Sequence, residues 1–287
     1  MAERTTRLWL ALALLAVAML RAAGPGALGQ WPPLARAQTA DLTPDPTPSA
    51  ADANATSTPA RPFVVAIDPG HGGTEVGAAH PSWEGAPPLR EKDVNLAIAL
   101  DLRDLLEARG YQVVMTRTMD TNVNVDGLDL NGDGVVNNDD DLQARVDIAN
   151  QAHADVLVSI HNNGAADRSV RGTSVWYCAD HPQGARARRL AQLLQQAFLA
   201  HLRGIGYSPL DQGANDDPPL HKPYGHLFVV GVKTPRVARP SEMPGVVGES
   251  LYVTNDREAA LLAQEQVRQE LAAAYRDAVV AFLEQPQ

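Results

Sequence analysis

The chain is poor in several things, and each shortage narrows what it can be. A single cysteine, Cys178, in 287 residues excludes an internal disulfide. Its surroundings, "TSVWYC", read as a strand, so a buried, inert thiol is expected there. Basic residues are outnumbered, 24 Lys and Arg against 34 Asp and Glu, which argues against a nucleic-acid partner and leaves cation binding open. No internal repeat is visible. The longest apolar run, Leu8 to Leu20, falls short of the roughly 20 residues that a bilayer crossing takes.

That run follows Arg4 and Arg7 and is followed by small residues and "ARAQ", an A-x-A site ending at Ala37. The layout is that of a secretory signal peptide over 1–37, with an uncleaved anchor as the alternative; only then would a membrane be involved. Either way the rest is exported, to the medium, the periplasm or the cell wall. Residues 38–61, rich in Pro, Ala, Thr and Asp, bury too little apolar surface to offset their ordering entropy and read as a linker.

A globular domain is expected over 62–287. "FVVAI" (63–67), "YQVVMTR" (111–117), "DVLVSI" (155–160), "TSVWYC" (173–178), "HLFVVG" (226–231) and "PGVVG" (244–248) read as strands. Helical spacing marks 92–110, 142–154, 184–204 and 256–284, the first closed by Gly110. Alternation of apolar strands with helices predicts an α/β fold: a twisted, mostly parallel sheet flanked by helices on both faces. In such sheets ligands gather beyond the strand carboxyl ends. There the sequence places Asp68 and His71, then His161, Asn162 and Asn163, then Glu249.

Hydrolytic zinc takes three protein ligands drawn from His and carboxylate and keeps one position open. His71 and His161 are candidates, with Glu91 at the start of a helix supplying the carboxylate and Glu249 the base that moves the proton. Bland readings stand beside these: His71 capping a turn, Glu91 complementing a helix dipole, Asn163 bracing a loop. His221 and His226, in "HKPYGH", are rival ligands, better suited to a substrate-side or structural role. His80, His153, His181 and His201 show no partners and read as surface residues.

"VVAIDPGHGG", "REKDVNLAIAL", "ADVLVSIHNN" and "MPGVVGESLYVTN", in this order, resemble the zinc-dependent N-acetylmuramoyl-L-alanine amidases of the Amidase_3 type, from about Phe63 to the C-terminus. The resemblance implies hydrolysis of the amide joining N-acetylmuramic acid to the L-alanine of the peptidoglycan stem. It also implies zinc on His71, Glu91 and His161, catalysis by Glu249, and peptidoglycan as the partner; whether a protein activator joins it is left open by the sequence. "GVK" matches a family loop and makes Lys233, with Asn163, a substrate-binding candidate. Gly248, Leu251 and Tyr252 depart from the family pattern and alter the packing behind Glu249. The alternatives are a zinc amidohydrolase or peptidase for another extracellular amide, and a catalytically silent wall-binding module.

Between "MTR" and "LQARVDIAN" the chain is enlarged over 120–141. Asp129, Asn131, Asp133, Gly134, Val135, Asn137 and Asp140 fall at the first, third, fifth, sixth, seventh, ninth and twelfth positions of a calcium loop. Val135 offers its carbonyl and Val136 an apolar contact. The segment resembles a dockerin-type or EF-hand loop with Asp in place of the final Glu, and one structural Ca2+ is the expectation. A solvated acidic loop is the alternative.

Overall fold

The computed structural model describes residues 61–82 and 87–284; the signal segment and nearly all of the linker expected from the sequence lie outside them. In chain order the elements are β1 (Val64–Pro69), β2 (Ala79–His80), β3 (Leu89–Arg90), α1 (Glu91–Glu107), β4 (Gln112–Met115), α2 (Asn138–Gln151), β5 (Val156–Asn163) and β6 (Thr173–Tyr177). They continue with α3 (Gly184–Gly204), β7 (Asp211–Asp216), β8 (Gly245–Tyr252), α4 (Asp256–Leu262) and α5 (Glu265–Glu284).

Six strands form one sheet in the order β4-β1-β5-β8-β6-β7, and β2 pairs with β3 in a small hairpin. All neighbours in the main sheet are parallel except β6 and β8, which run antiparallel. The expected mostly parallel α/β fold is therefore present, with one reversal of direction inside it.

Alternation along the strands divides the core. Val65, Ile67, Val156, Val158, Ile160, Val175 and Val246 face α1, α3 and α5, where Phe198 and Tyr275 meet edge to face with centroids 5.1 Å apart. Ala66, Leu157 and Val247 face the other way, against Val146 and Ala149 of α2 and the segment from Phe228 to Met243.

That second face corrects two sequence expectations. "HLFVVG" is not a strand: residues 228–230 form a turn, with Phe228, Val229 and Val230 buried on the sheet. A short apolar run records a demand for burial, and a packed loop meets it as well as a strand does. Conversely β7, "DQGAND", has almost no apolar content and was not expected, yet it pairs with β6 through backbone hydrogen bonds. The C-terminal helix is also interrupted between Leu262 and Glu265.

Helix α2 begins four residues before the expected Leu142, at Asn138. Asn137 caps it: its side chain accepts from Asp139 N, and the Asp140 carboxylate accepts from Asn137 N, a reciprocal box that satisfies end donors. From this helix Arg145 reaches beneath β1. Its guanidinium donates to Asp68 Oδ1 and the Pro69 carbonyl (both 2.9 Å), to the His71 carbonyl (2.8 Å) and to Asp141 Oδ2 (2.9 Å). Asp68 also accepts from Thr116 Oγ1 (2.6 Å) and Ser159 Oγ (2.7 Å). Burial raises the Asp68 pKa, but Arg145 and the two hydroxyls outweigh it and hold the carboxyl below the usual range. Asp68 is thus spent on the scaffold and does not join the ligand rim anticipated from the sequence.

Removing one member of a buried ion pair leaves the other uncompensated, at a cost of about 3–5 kcal/mol. Arg145→Met is therefore expected to lose about that much in urea denaturation; a loss below about 1 kcal/mol would show that the network is dispensable.

Candidate metal centre

Three chain segments bring His71, Glu91 and His161 together, with one ligand atom from each inside a 4.8 Å group. His71 sits on the turn after β1 with a left-handed backbone, φ 61°, an uncommon conformation for a residue with a side chain. The Arg145 bond to its carbonyl helps to hold that turn. Glu91 is the first residue of α1, and His161 lies in the last turn of extended chain in β5. Two glycines let the parts close up. A Cβ on Gly70 would collide with the His161 ring, and one on Gly77, φ 66°, would collide with Glu91 Oε2.

Glu91 is the hub. Its Oε1 is 2.9 Å from His161 Nδ1 and 3.1 Å from His71 Nε2, and accepts from Asn162 N at 3.2 Å. Its Oε2 accepts from Ala78 N at 2.7 Å. Burial raises the pKa of this carboxyl, yet the hydrogen bonds and fields of His161 and His71 more than reverse that, so it stays ionised. Asn95 donates to Gly70 O (3.2 Å) and accepts from Asn162 Nδ2 (2.8 Å), tying the helix to both histidine-bearing segments.

Glu249 lies opposite His161 in the β5–β8 register. Its Oε2 is buried without a hydrogen-bond partner. Desolvation, then the negative field of Glu91, push its pKa well above the ordinary value, while Lys222 pulls in the other direction. Gly248 beside it is explained by packing: the Tyr275 hydroxyl donates to the Gly248 carbonyl (3.1 Å) and fills the space where a Cβ would go.

His71, Glu91, His161 and Glu249 line one cleft of about 620 Å³, together with Asn163 and Lys222. Asn163 Nδ2 donates to Ser174 Oγ at 3.4 Å. Lys222 was not singled out by sequence, because it lies between two short 3-10 turns (Pro218–Leu220 and Pro223–Gly225) with no periodic signal. Lys233, expected at the substrate, lines a different cavity beside His181 and Arg239, since the buried 228–230 turn carries the chain past the cleft.

Three histidines read as partnerless surface residues prove engaged. His80 is buried, with Nε2 3.0 Å from Asp256 Oδ1; His181 is buried, with Nε2 2.8 Å from the Ser241 carbonyl; His201 bridges Glu270 (2.9 Å) and Asp277 (3.0 Å). These partners lie at least sixty positions away in sequence, beyond any local pattern, although His80 and His181 also bond to the nearby Pro81 carbonyl and Gln183 N. His153 is exposed as expected, and His221 is exposed with φ 50°. His226 lines the cleft, hydrogen-bonded to Asp217.

In the enlarged loop, the Asp129 carboxylate accepts from the backbone N–H groups of Gly132, Asp133 and Gly134, and Asp133 Oδ1 accepts from Val135 N. Asp140 accepts from Leu130, Asn131 and Asn137. Asn131 Oδ1 accepts from Asp133 N, and Asn137 caps α2. Among the described residues these acids do not form a gathered ligand group. Val135 and Val136 are 58% and 55% exposed, so the apolar contact expected of Val136 is not made.

Comparison with known proteins shows what the chain is similar to. The model of the N-acetylmuramoyl-L-alanine amidase family, Amidase_3, matches residues 65–281. The chain is 30% identical to N-acetylmuramoyl-L-alanine amidase LytC of Bacillus subtilis over 80% of its own length and 37% of that protein's. It is 30% identical to N-acetylmuramoyl-L-alanine amidase AmiA of Escherichia coli over 76% of its length and 75% of the other's. Among these two, then, it spans little more than a third of the first and three quarters of the second. The crystal structure of N-acetylmuramoyl-L-alanine amidase from Clostridium difficile 630 superposes with a TM-score of 0.58 at 26% identity, covering 79% of this chain and all of that one.

The environment of Glu249 has a measurable consequence. In chelator-treated protein its carboxyl, assigned by difference from Glu249→Gln in an infrared titration, is expected to titrate above 4.5. Lys222→Ala should move the midpoint higher still, since a cation that favours the carboxylate is removed. A midpoint at or below the ordinary value, or one insensitive to Lys222, contradicts this account.

Proposed function

The chain belongs to the Amidase_3 family of N-acetylmuramoyl-L-alanine amidases, and from that premise we propose that it hydrolyses the amide between the lactyl group of N-acetylmuramic acid and the stem L-alanine of peptidoglycan. The observation that carries this reading is the convergence of two imidazoles and a buried carboxylate beside a second carboxyl that has no partner.

The donors suit zinc. His, His and Glu is a set that zinc takes in hydrolytic sites, and tetrahedral bonds of ordinary length put neighbouring ligand atoms about 3.4 Å apart. The separations of 2.9 and 3.1 Å around Glu91 lie within a few tenths of an ångström of that. His71, Glu91 and His161 would hold the ion, which supplies Lewis acidity to a carbonyl oxygen and acidifies water.

The remaining work falls to the protein's own groups. Glu249 takes the proton of the attacking water and hands it to the departing alanine nitrogen, whose C–N bond breaks. Its position in a desolvated wall suits this role: burial raises its proton affinity, and the residue lines the cleft. Ala78 N and Asn162 N fix the Glu91 carboxylate, and Asn95 holds the adjoining backbone, so the ligand set is oriented before any substrate arrives. Asn163 offers an amide to the substrate at the cleft wall.

The same reading assigns residues 1–37 to export and gives the enzyme a substrate outside the cytoplasm. For the enlarged loop we propose one structural Ca2+. Support comes from the full register of oxygen-bearing positions and from Gly134, whose φ of 86° makes the sharp turn. A carboxylate has about four lone-pair sites, so the backbone bonds to Asp129 and Asp140 leave capacity for a cation.

Incubation of the protein with purified peptidoglycan and zinc is expected to release peptides with a free L-alanine amine from intact glycan, read by mass spectrometry. Cleavage elsewhere, or none, sinks the proposal. Glu249→Gln should keep its zinc and lose about 10²–10⁴-fold in turnover, the usual contribution of a positioned acid–base group. If zinc is lost as well, Glu249 is a ligand and its role here is wrong. Calcium should raise the melting temperature of the wild type but not of Asp129→Ala/Asp133→Ala; equal shifts, or none, remove the calcium site.

A further inference from the structure

The cleft ends at a second group of ligating side chains that the catalytic reading leaves unused. Cys178, Asp217 and His226 gather one donor atom each within 4.8 Å. Cys178 Sγ is 3.3 Å from His226 Nδ1, which is 3.0 Å from Asp217 Oδ1. On the far side of the ring, Asp180 Oδ2 is 3.7 Å from His226 Nε2. Asp217 is fully buried, and its other oxygen accepts from Leu227 N at 2.7 Å.

The sheet explains how these residues meet. Tyr177 of β6 pairs with Asp216 of the parallel β7, so the next residues, Cys178 and Asp217, leave the sheet side by side. Side-chain alternation along β6 turns Val175 and Tyr177 to the helical core, which leaves Cys178 on the opposite face, the one against which the 226–230 segment packs. His226 arrives at the end of that segment's approach, after Lys222 and Pro223 have lined the cleft.

This group is separate from the catalytic one. Because β6 runs against β8, Ser174 is level with Glu249 and Trp176 with Val247. Cys178 therefore lies four positions further along β6 from the level of Glu249, about 13 Å at strand rise.

We propose that Cys178, Asp217 and His226 form a second metal site, taking a thiophilic divalent cation such as Zn2+ and fastening the loop that walls the cleft. The chemistry of the set is right: a thiol sulfur, an imidazole and a carboxylate are all zinc ligands, and tetrahedral geometry puts S and N, or N and O, about 3.4–3.6 Å apart. The distances of 3.3 and 3.0 Å are within a few tenths of an ångström of that, and all three donors lie within 4.8 Å of one another. Asp180, at 74% side-chain exposure, lies on the Nε2 side of the ring, away from the three gathered donors. The field also suits a cation: burial, and then the charges of Asp217 and Asp180, raise the cost of a lone Cys178 thiolate. Metal binding releases the thiol proton to solvent, leaving sulfur as the thiolate ligand. The ion would join the ends of β6 and β7 to the segment carrying Lys222, and so set where that lysine stands relative to Glu249.

Cobalt tests this directly, because the chain has one cysteine and any thiolate-to-cobalt charge-transfer band must come from it. The full chain, stripped by chelator and reloaded with Co2+ under a non-thiol reductant, is expected to show that band. His71→Ala/His161→Ala should keep the band while binding one cobalt fewer, and Asp217→Asn should shift its titration to higher cobalt. Absence of the band from the wild type at every cobalt loading overturns the proposal, as does a band titration that Asp217→Asn leaves unmoved. Neither result bears on zinc at His71, Glu91 and His161, which the His71→Ala/His161→Ala stoichiometry reads separately.

Discussion

The guanidinium of Arg145 is the point on which the site's geometry rests. A buried arginine is tolerable only when its donors are used, and this one spends them on Asp68, Asp141 and the carbonyls of Pro69 and His71. It thereby joins α2, β1 and the turn that carries His71. Asp141 in turn accepts from Val123 N and Asn124 N, so the start of the enlarged loop hangs on the same group. Arg117 does similar service nearby, donating to the carbonyls of Pro69, Gly70 and Lys92. Two cations beneath one turn hold backbone carbonyls that would otherwise face each other unpaired.

On that frame His71, Glu91 and His161 need little freedom. His161 is fixed by its strand and by contact with Gly70, Glu91 by Ala78 N and Asn162 N, and His71 by a constrained backbone. Glu249 stands across a strand pair from His161, so its separation from that histidine is governed by the sheet itself. Groups placed on rigid elements hold reacting atoms more closely than groups on loops do. The opposed environments of the two glutamates follow from the same arrangement. Glu91 is surrounded by donors and stays charged; Glu249 is desolvated and faces the negative field of Glu91, which raises its proton affinity.

Much of this was legible in the sequence, and what escaped shares a cause. Strands such as 63–67 and 155–160 and helices such as 184–204 announce themselves because apolar side chains recur with the period of the element. His71, Glu91, His161 and Glu249 stand next to those elements, within motifs that local order preserves. By contrast Lys222 and His226 depend on a non-repetitive segment being folded back over the sheet, which no period encodes. His80 and His201 find partners in the C-terminal helices, far along the chain. The reversal of β6 against β8 was also invisible, because an antiparallel strand buried on both faces has the same apolar run as a parallel one. That reversal is why Cys178 and Glu249 sit at different levels of the sheet rather than on a shared rim.

The sheet's last strand, β7, bears on how copies of this molecule behave at high concentration. An edge strand exposes backbone donors and acceptors that can recruit another chain. Here that edge is "DQGAND": acidic at both ends, carrying Gly213 at φ 87°, and joined to β6 with a shift of register between Thr173 and Val175. Charge and an irregular outline make a poor template for a neighbour's strand. The composition that hid β7 from a hydrophobicity reading is thus the same composition that closes this edge to sheet extension and protects the protein from aggregation there.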